Sequence, residues 1–143
     1  MQTTPMLGPI LAQILLTIGV YVLLGRRKFA AVKAGEVDRN ATALDNRAWP
    51  EAVVKVSNNL ANQFEAPVLF YMLCFVLMAL GQGGGIALML AWLFVLSRFV
   101  HAWVHVNSNY VPHRFRLFGL GLLLLLAMTL LALWHWLQMT FNQ

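Results

Sequence analysis

Four apolar stretches of membrane-spanning length alternate with shorter polar segments along the chain. A helix rises about 1.5 Å per residue, so about 20 apolar residues cross the roughly 30 Å hydrocarbon core of a bilayer. The pattern therefore predicts an all-α integral membrane protein, a four-transmembrane-helix bundle forming a single domain over residues 1–143. The predicted spans are about 6–24, 61–80, 86–107 and 112–137.

The second helix has two different halves, which sets it apart from the other three. It is expected to run without interruption from Pro50, a residue suited to a first helical turn, to Leu80. Such a helix measures about 46 Å, well beyond the hydrocarbon core, so its polar first half extends out of the membrane. Counting back from Leu80 puts the inner boundary near Ala61 and places Glu65 only about 6 Å inside it.

Composition agrees with a membrane protein. The chain is 60% hydrophobic and only 10% charged, against about 25% charged in an average soluble domain. Its net charge of +5 comes from basic residues in short segments that flank the apolar runs, which favours membrane topology over nucleic-acid binding. Cys74 lies within an apolar run and is interpreted as a small packing residue.

The distribution of charge predicts the topology. No Lys or Arg precedes the first apolar run, and Arg26-Arg27-Lys28 follows it, which favours a retained helix over a cleaved signal peptide. Residues 25–49 form the only long polar connection and are expected in the cytoplasm, with both termini on the other side. Gly81–Gly85 lacks the Lys-Ser/Thr of a phosphate loop and is interpreted as an outer turn.

Polar side chains recur at helical spacing near the inner ends of the spans. Positions three and four residues apart share a helix face. Counting the helical rise places the polar face of the third helix at about the same membrane depth as Glu65. The inner end of the fourth helix adds one arginine. The residues of this predicted cleft are Asn58, Asn62 and Glu65 on the second helix, Arg98, His101 and His105 on the third, and Arg114 on the fourth.

Two other interpretations of the cleft stay open. Glu65 could pair with Arg98 or a histidine merely to make the bundle tolerable in hydrocarbon, but one ion pair would not need so many further donors. His101 and His105 have the i, i+4 spacing of zinc ligands on a helix, yet the adjacent glutamate of the usual signature is missing and the arginines would repel a cation. The excess of donors favours a small anionic ligand, with no metal.

The order of these motifs resembles a known family. Asn62-Gln63-Phe64-Glu65-Ala66-Pro67, then Arg98-x-x-His101-x-x-x-His105, then Pro112-x-Arg114, is similar to the MAPEG superfamily, the membrane-associated proteins in eicosanoid and glutathione metabolism. The resemblance is greatest to bacterial-type members. It implies an inner-membrane protein assembled as a homotrimer, with glutathione as co-substrate bound between neighbouring subunits near the cytoplasmic side.

The resemblance also implies roles for individual residues. Asn62, Glu65, His101 and Arg114 match positions that contact or support glutathione. Arg98 matches a structural or ligand-side arginine, and His105 matches a position often held by tyrosine. Relatives with established activity commonly carry arginines where this chain has Asn58 and Ala61, and hydroxyl groups where it has Phe115 and Phe118. Arg114 is the candidate catalytic cation and Tyr110 a candidate replacement for the missing hydroxyl.

The chemistry of glutathione suits such a cleft. Its two carboxylates are matched by arginines, its ammonium by Glu65, and its thiol reacts as the thiolate that a nearby cation favours. The leading hypothesis is a glutathione transferase or peroxidase acting on lipophilic electrophiles that arrive through the bilayer. The alternative is a non-catalytic binding or scaffolding protein of the same fold that holds a lipid or another small anion. A transporter is disfavoured because no inverted repeat is evident.

Overall fold

Within residues 4–141, four helical segments are long and apolar enough to cross a membrane, the second of them being Glu51–Ala79. The computed structural model describes residues 4–141, and in that part of the chain all regular structure is helical. The predicted all-α, four-helix fold is therefore confirmed. The elements are a 3-10 turn at Thr4–Met6, α1 at Leu7–Lys33, α2 at Arg39–Leu44, a 3-10 turn at Asn46–Ala48, α3 at Glu51–Asn62, α4 at Ala66–Ala79, α5 at Gly85–Val106 and α6 at Val111–Phe141.

The prediction of one uninterrupted second helix is wrong. Helix α3 ends at Asn62, and α4 begins at Ala66 after a turn in which the Gln63 and Phe64 amides donate to carbonyls three residues back, at 3.0 Å each. Pro67 explains the break, because it has no N–H to donate to the carbonyl of Gln63 and its ring clashes with that carbonyl in a regular helix. The second span is thus two helices, α3 and α4, joined at residues 63–65.

The predicted polar connection of residues 25–49 is shorter in the structure. Helix α1 continues through the basic cluster to Lys33, so the non-helical connection begins at Ala34. Gly35 then adopts a positive φ of 74°, a backbone conformation that glycine takes without steric cost. Asp38 caps the short helix α2 by accepting from the amides of Asn40 and Ala41.

Helix α5 is the centre of the bundle and contacts α1, α3 and α6. Phe94 of α5 stacks on Phe70 of α4 with ring centroids 4.6 Å apart. Cys74 is fully buried in the same cluster, in agreement with its interpretation as a packing residue. On α6, Gly121 faces Phe94 and Ser97, whereas a Cβ atom at Gly119 would meet nothing within 4 Å. Of these two glycines, Gly121 is therefore the one at a close contact between α5 and α6.

Arg27 joins three helices at their polar ends. Its Nη1 donates to the Ala52 carbonyl of α3 at 2.7 Å, and both terminal nitrogens donate to the Val106 carbonyl at 3.3 Å. Val106 is the last residue of α5, where carbonyls lack partners within the helix. Arg27 thus stabilises the end of α5 and holds it against α1 and α3.

A row of buried side-chain amides ties α1 to the break in the second span. Gln13 Nε2 donates to Gln63 Oε1 at 3.0 Å, and Gln63 Nε2 donates to Asn59 Oδ1 at 3.3 Å. All three side chains are almost completely inaccessible. Because amides in an apolar interior are stable only when bonded to one another, this amide row fixes the register of α1 against α3 and the turn after it.

The amide row predicts a measurable loss of stability on substitution of its central member. Gln63→Leu leaves Gln13 and Asn59 without their partner, so the free energy of unfolding should fall by about 1–3 kcal/mol. The double variant Gln13→Leu/Gln63→Leu should recover part of the loss, since it removes both ends of one bond. Thermal and denaturant unfolding in detergent provide the measurement. The exposed Gln138→Leu is the control, and an equal change in that control would contradict the proposed importance of the row.

Candidate functional site

A polar pocket lies where the second span is interrupted. Its volume is about 280 Å³, close to the lower end of the roughly 300–1,000 Å³ typical of small-molecule sites. The turn between α3 and α4 forms one wall, α5 the base and the start of α6 the opposite wall. The lining residues are Asn62, Glu65, His101, Val111, Arg114, Phe115 and Phe118.

Four of the predicted binding residues share this pocket: Asn62, Glu65, His101 and Arg114. They come from three separate segments, so the fold brings together side chains that are up to about fifty residues apart in the sequence. The combination of one carboxylate, one guanidinium, one imidazole and one amide offers both donors and acceptors. Such a pocket suits a small ligand that carries groups of both charges.

Arg98 and His105 lie behind the pocket rather than in its lining. Both are fully buried, and Arg98 donates from Nη2 to the carbonyl of Asn62 at 3.3 Å. That carbonyl belongs to the last turn of α3, where helix carbonyls have no N–H donor within the helix. Arg98 therefore supports the broken end of α3 while its charge lies close beneath the pocket.

Asn58 and Tyr110 are not part of the pocket lining. Asn58 is exposed on α3, one helical turn or about 6 Å before Asn62, beyond the reach of the pocket. Tyr110 is also exposed, and its ring packs edge to face against His113 with centroids 4.8 Å apart. The structure thus separates these two predicted residues from the other members of the site.

Glu65 makes no salt bridge in the described part of the chain. The ion pair found within residues 4–141 joins Glu51 to Lys55 at 2.6 Å on the surface of α3. Glu65 itself is exposed at the turn. The interpretation in which Glu65 only neutralises Arg98 or a histidine is therefore not supported by the geometry.

The donors around the pocket are incompletely used. Within residues 4–141, Arg98 Nε and Nη1, Arg114 Nε and both ring nitrogens of His101 and His105 are buried without a hydrogen-bond partner. Buried polar groups are normally bonded. Of these residues His101 and Arg114 line the pocket, so their nitrogens are the ones that a ligand in the pocket can pair, with a neutral imidazole offering one donor and one acceptor. No group of three or more His, Cys, Asp or Glu residues in the same part of the chain is arranged to hold a metal ion.

Arg114 is positioned by a residue that the sequence pattern did not single out. Its Nη1 donates to Asn109 Oδ1 at 2.7 Å. Asn109 has a positive φ of 52°, a conformation that asparagine tolerates better than most residues, and its amide donates to the Val104 carbonyl at 2.8 Å. An asparagine in a short loop just before Pro112 is the signal that marks such a turn.

Comparison with known proteins gives one match. The model of the MAPEG family matches residues 6–134, which includes α1 to α5, most of α6 and every residue of the pocket. No curated protein and no solved structure matches the chain.

The partly bonded state of Arg98 leads to a prediction about stability. A buried charge with one long hydrogen bond contributes little to folding, and an apolar side chain of similar length is often neutral or stabilising at such a place. Arg98→Met should therefore leave the unfolding temperature of the ligand-free protein unchanged or raised, measured by circular dichroism in detergent.

The exposed Arg116→Met is the matched control for this substitution. A loss of about 3–5 kcal/mol in Arg98→Met, the cost of breaking a well-paired buried ion, would show that support of the α3 end at the Asn62 carbonyl, and not a ligand, accounts for Arg98.

Proposed function

The chain belongs to the MAPEG family, and from this premise we propose that its polar pocket binds glutathione and that the bound thiol reacts with lipophilic electrophiles. The family is one of membrane proteins in eicosanoid and glutathione metabolism. The proposed activity is that of a glutathione transferase or peroxidase. The observation that carries the proposal is the meeting of Asn62, Glu65, His101 and Arg114 in one pocket at the helix break.

Each charged group of glutathione has a counterpart at the pocket. The ammonium fits Glu65, which has no competing cation within 4 Å in the described part of the chain. The carboxylates fit Arg114 and the N–H groups of His101 and Asn62 by charge-assisted hydrogen bonds. Arg98 lies beneath the pocket and adds a positive potential that favours an anion.

The thiol of glutathione requires a nearby cation to react as thiolate at neutral pH. Arg114 is the candidate, because its guanidinium is held at 2.7 Å from Asn109 and lies in the first turn of α6. The N-terminus of a helix carries a partial positive charge that also stabilises an anion. In this proposal Arg114 stabilises the thiolate, and Asn109 fixes the orientation of Arg114.

The apolar side of the pocket gives the second substrate a route of entry. Phe115 and Phe118 of α6 line the pocket together with Val111, and Phe115 is exposed on the outer surface of the helix. A lipophilic electrophile dissolved in the bilayer can approach the thiolate along these side chains. Glu65, on the opposite side of the pocket, is likewise exposed. We therefore propose that a neighbouring subunit of a homotrimer closes the pocket at Glu65.

A non-catalytic binding protein of the same fold is the second candidate. The observation that favours it is the identity of the lining residues: Phe115 and Phe118 supply no hydroxyl, and Tyr110 does not line the pocket. Thiolate stabilisation therefore depends on Arg114. Glutathione binding without consumption of thiol in the presence of a lipophilic aryl halide or hydroperoxide would support this candidate over the enzyme.

Substitution of Arg114 tests the glutathione site. Arg114→Ala should weaken glutathione binding at least tenfold, since a hydrogen bond between charged groups contributes about 1.5–3 kcal/mol. Arg116→Ala, two residues further along and outside the pocket lining, should bind as the unaltered protein does. Native mass spectrometry and thermal shift with millimolar glutathione measure both. No bound glutathione in the unaltered protein, with an identical result for Arg114→Ala, would rule out the proposed ligand.

A substitution at Glu65 tests the orientation of the ligand. If Glu65 accepts from the ammonium, Glu65→Gln should lose about tenfold in affinity for glutathione. The same variant should bind an analogue lacking the amino group as well as the unaltered protein does. Isothermal titration calorimetry of Glu65→Gln and of the unaltered protein, each with both ligands, provides the measurement. An equal loss with both ligands would place Glu65 in a structural role and contradict the assignment.

A further inference from the structure

A second groove lies on another face of the bundle, between α1 and α5. Its volume is about 340 Å³, and its walls are almost entirely apolar. Leu16, Gly19 and Leu23 form the α1 side, and Ala102, Trp103 and Val106 form the α5 side. From Leu16 to Leu23 the groove follows about 10 Å of helix, so it matches part of one leaflet and not the whole bilayer.

Gly19 keeps the groove open. A Cβ atom added at this position would meet nothing within 4 Å. The glycine therefore does not serve close helix packing here; it leaves a slot along α1 that a larger side chain would fill. The slot has the apolar lining that a hydrocarbon chain requires.

One polar group lies in this apolar lining. Asn59 is fully buried, and its Oδ1 accepts from Gln63, whereas its Nδ2 has no hydrogen-bond partner within residues 4–141. The predicted inner membrane boundary passes near Ala61, only two residues away. That is the depth at which the ester carbonyls of a phospholipid lie, between the acyl chains and the phosphate.

At its inner end the groove meets a second pocket, which is different from the polar pocket at the helix break. Val106 lines both cavities, and the second, of about 600 Å³, is also lined by Arg27, Lys55 and Glu51. Arg27 bonds to backbone carbonyls of α3 and α5, but a guanidinium has five N–H donors and some remain for another acceptor. Arg26 and Lys28 lie beside it on α1.

We propose that the α1–α5 groove and the polar pocket at its inner end form a binding site for one anionic phospholipid. The acyl chain occupies the slot over Gly19, the ester carbonyl accepts from Asn59 Nδ2, and the phosphate lies against Arg27 and against Lys55, whose ammonium also pairs with Glu51 at 2.6 Å. The apolar slot, the isolated donor and a pocket with two cations and one carboxylate follow one another in the order of the parts of a lipid. Basic pockets between membrane helices on the cytoplasmic side are known to hold anionic headgroups.

Charge favours a lipid over a second copy of the chain at this groove. A second copy would bring the same basic cluster of Arg26, Arg27 and Lys28 to the same membrane level if it packed here in parallel. An anionic lipid instead supplies the opposite charge. This site is separate from the pocket at Glu65, and the inference does not depend on the identity of the ligand bound there.

Native mass spectrometry tests the proposal with phosphatidylglycerol and phosphatidylcholine of identical acyl chains, added in equal amounts to delipidated protein. The unaltered protein should retain one phosphatidylglycerol per chain in preference to phosphatidylcholine. Gly19→Leu should lose retention of both lipids. Gly25→Leu, on the same helix with equally open surroundings but outside the groove, should not. Leu15→Trp, at an exposed position on the groove, gives a second blocked variant if Gly19→Leu does not fold.

The headgroup part of the site has its own variant. Lys55→Gln should lower the preference for phosphatidylglycerol about fivefold, as expected for one basic residue at an anionic lipid, and leave phosphatidylcholine retention unchanged. Lys33→Gln is the exposed control. Equal retention of the two lipids by the unaltered protein, or equal behaviour of Gly19→Leu and Gly25→Leu, would overturn the proposal. So would a change of oligomeric mass in Gly19→Leu with lipid retained, because a second copy would then cover this face.

Discussion

Pro67 imposes the constraint on which the rest of the structure depends. Since proline cannot donate to the Gln63 carbonyl or tolerate its regular position, the second span must change course just inside the predicted inner boundary. The resulting turn sends Gln63 into the bundle, where it bonds to Gln13 and Asn59, and leaves Glu65 on the surface beside the pocket. One backbone interruption therefore provides both an anchor for α1 and a wall of the candidate site.

Stability and binding make opposite demands on the polar side chains at the break. The amide row pairs both ends of Gln63 and leaves Gln13 Oε1 and Asn59 Nδ2 without partners, whereas Arg98, His101 and His105 carry further buried nitrogens without partners in the described part of the chain. Such atoms reduce the stability of a folded protein, and a ligand with acceptor groups restores what they lack. The apolar cluster of Phe70, Phe94 and Met128 supplies the rigidity that keeps these groups in place.

The sequence was sufficient to predict the fold and the central members of the pocket, because both follow from local rules. Apolar runs of about 20 residues define membrane helices. Helical spacing also predicted that Asn62 and Glu65 share one side of the second span; both line the pocket, although Glu65 lies in the turn after α3 and not on a continuous helix. His101 followed from counting helical rise along the third helix, and Arg114 from its place at the inner end of the fourth. These two inferences need only helices with approximately known ends.

The remaining features depend on contacts between distant segments. Pro67 lies in the sequence that resembles the family motif, yet apolar periodicity continues through it and suggested a continuous helix. Asn58 has the correct spacing but lies a turn too far from the pocket. The bonds of Gln63 to Gln13 and of Asn109 to Arg114 arise from packing, which spacing along one helix does not encode.

A structure determined with bound glutathione tests the central claim most directly. The account predicts ligand density in the pocket at the helix break, with the amino group at Glu65, the carboxylates at Arg114 and His101, and a neighbouring subunit closing the exposed side. An empty pocket at saturating glutathione, or density only at another place on the bundle, would contradict it.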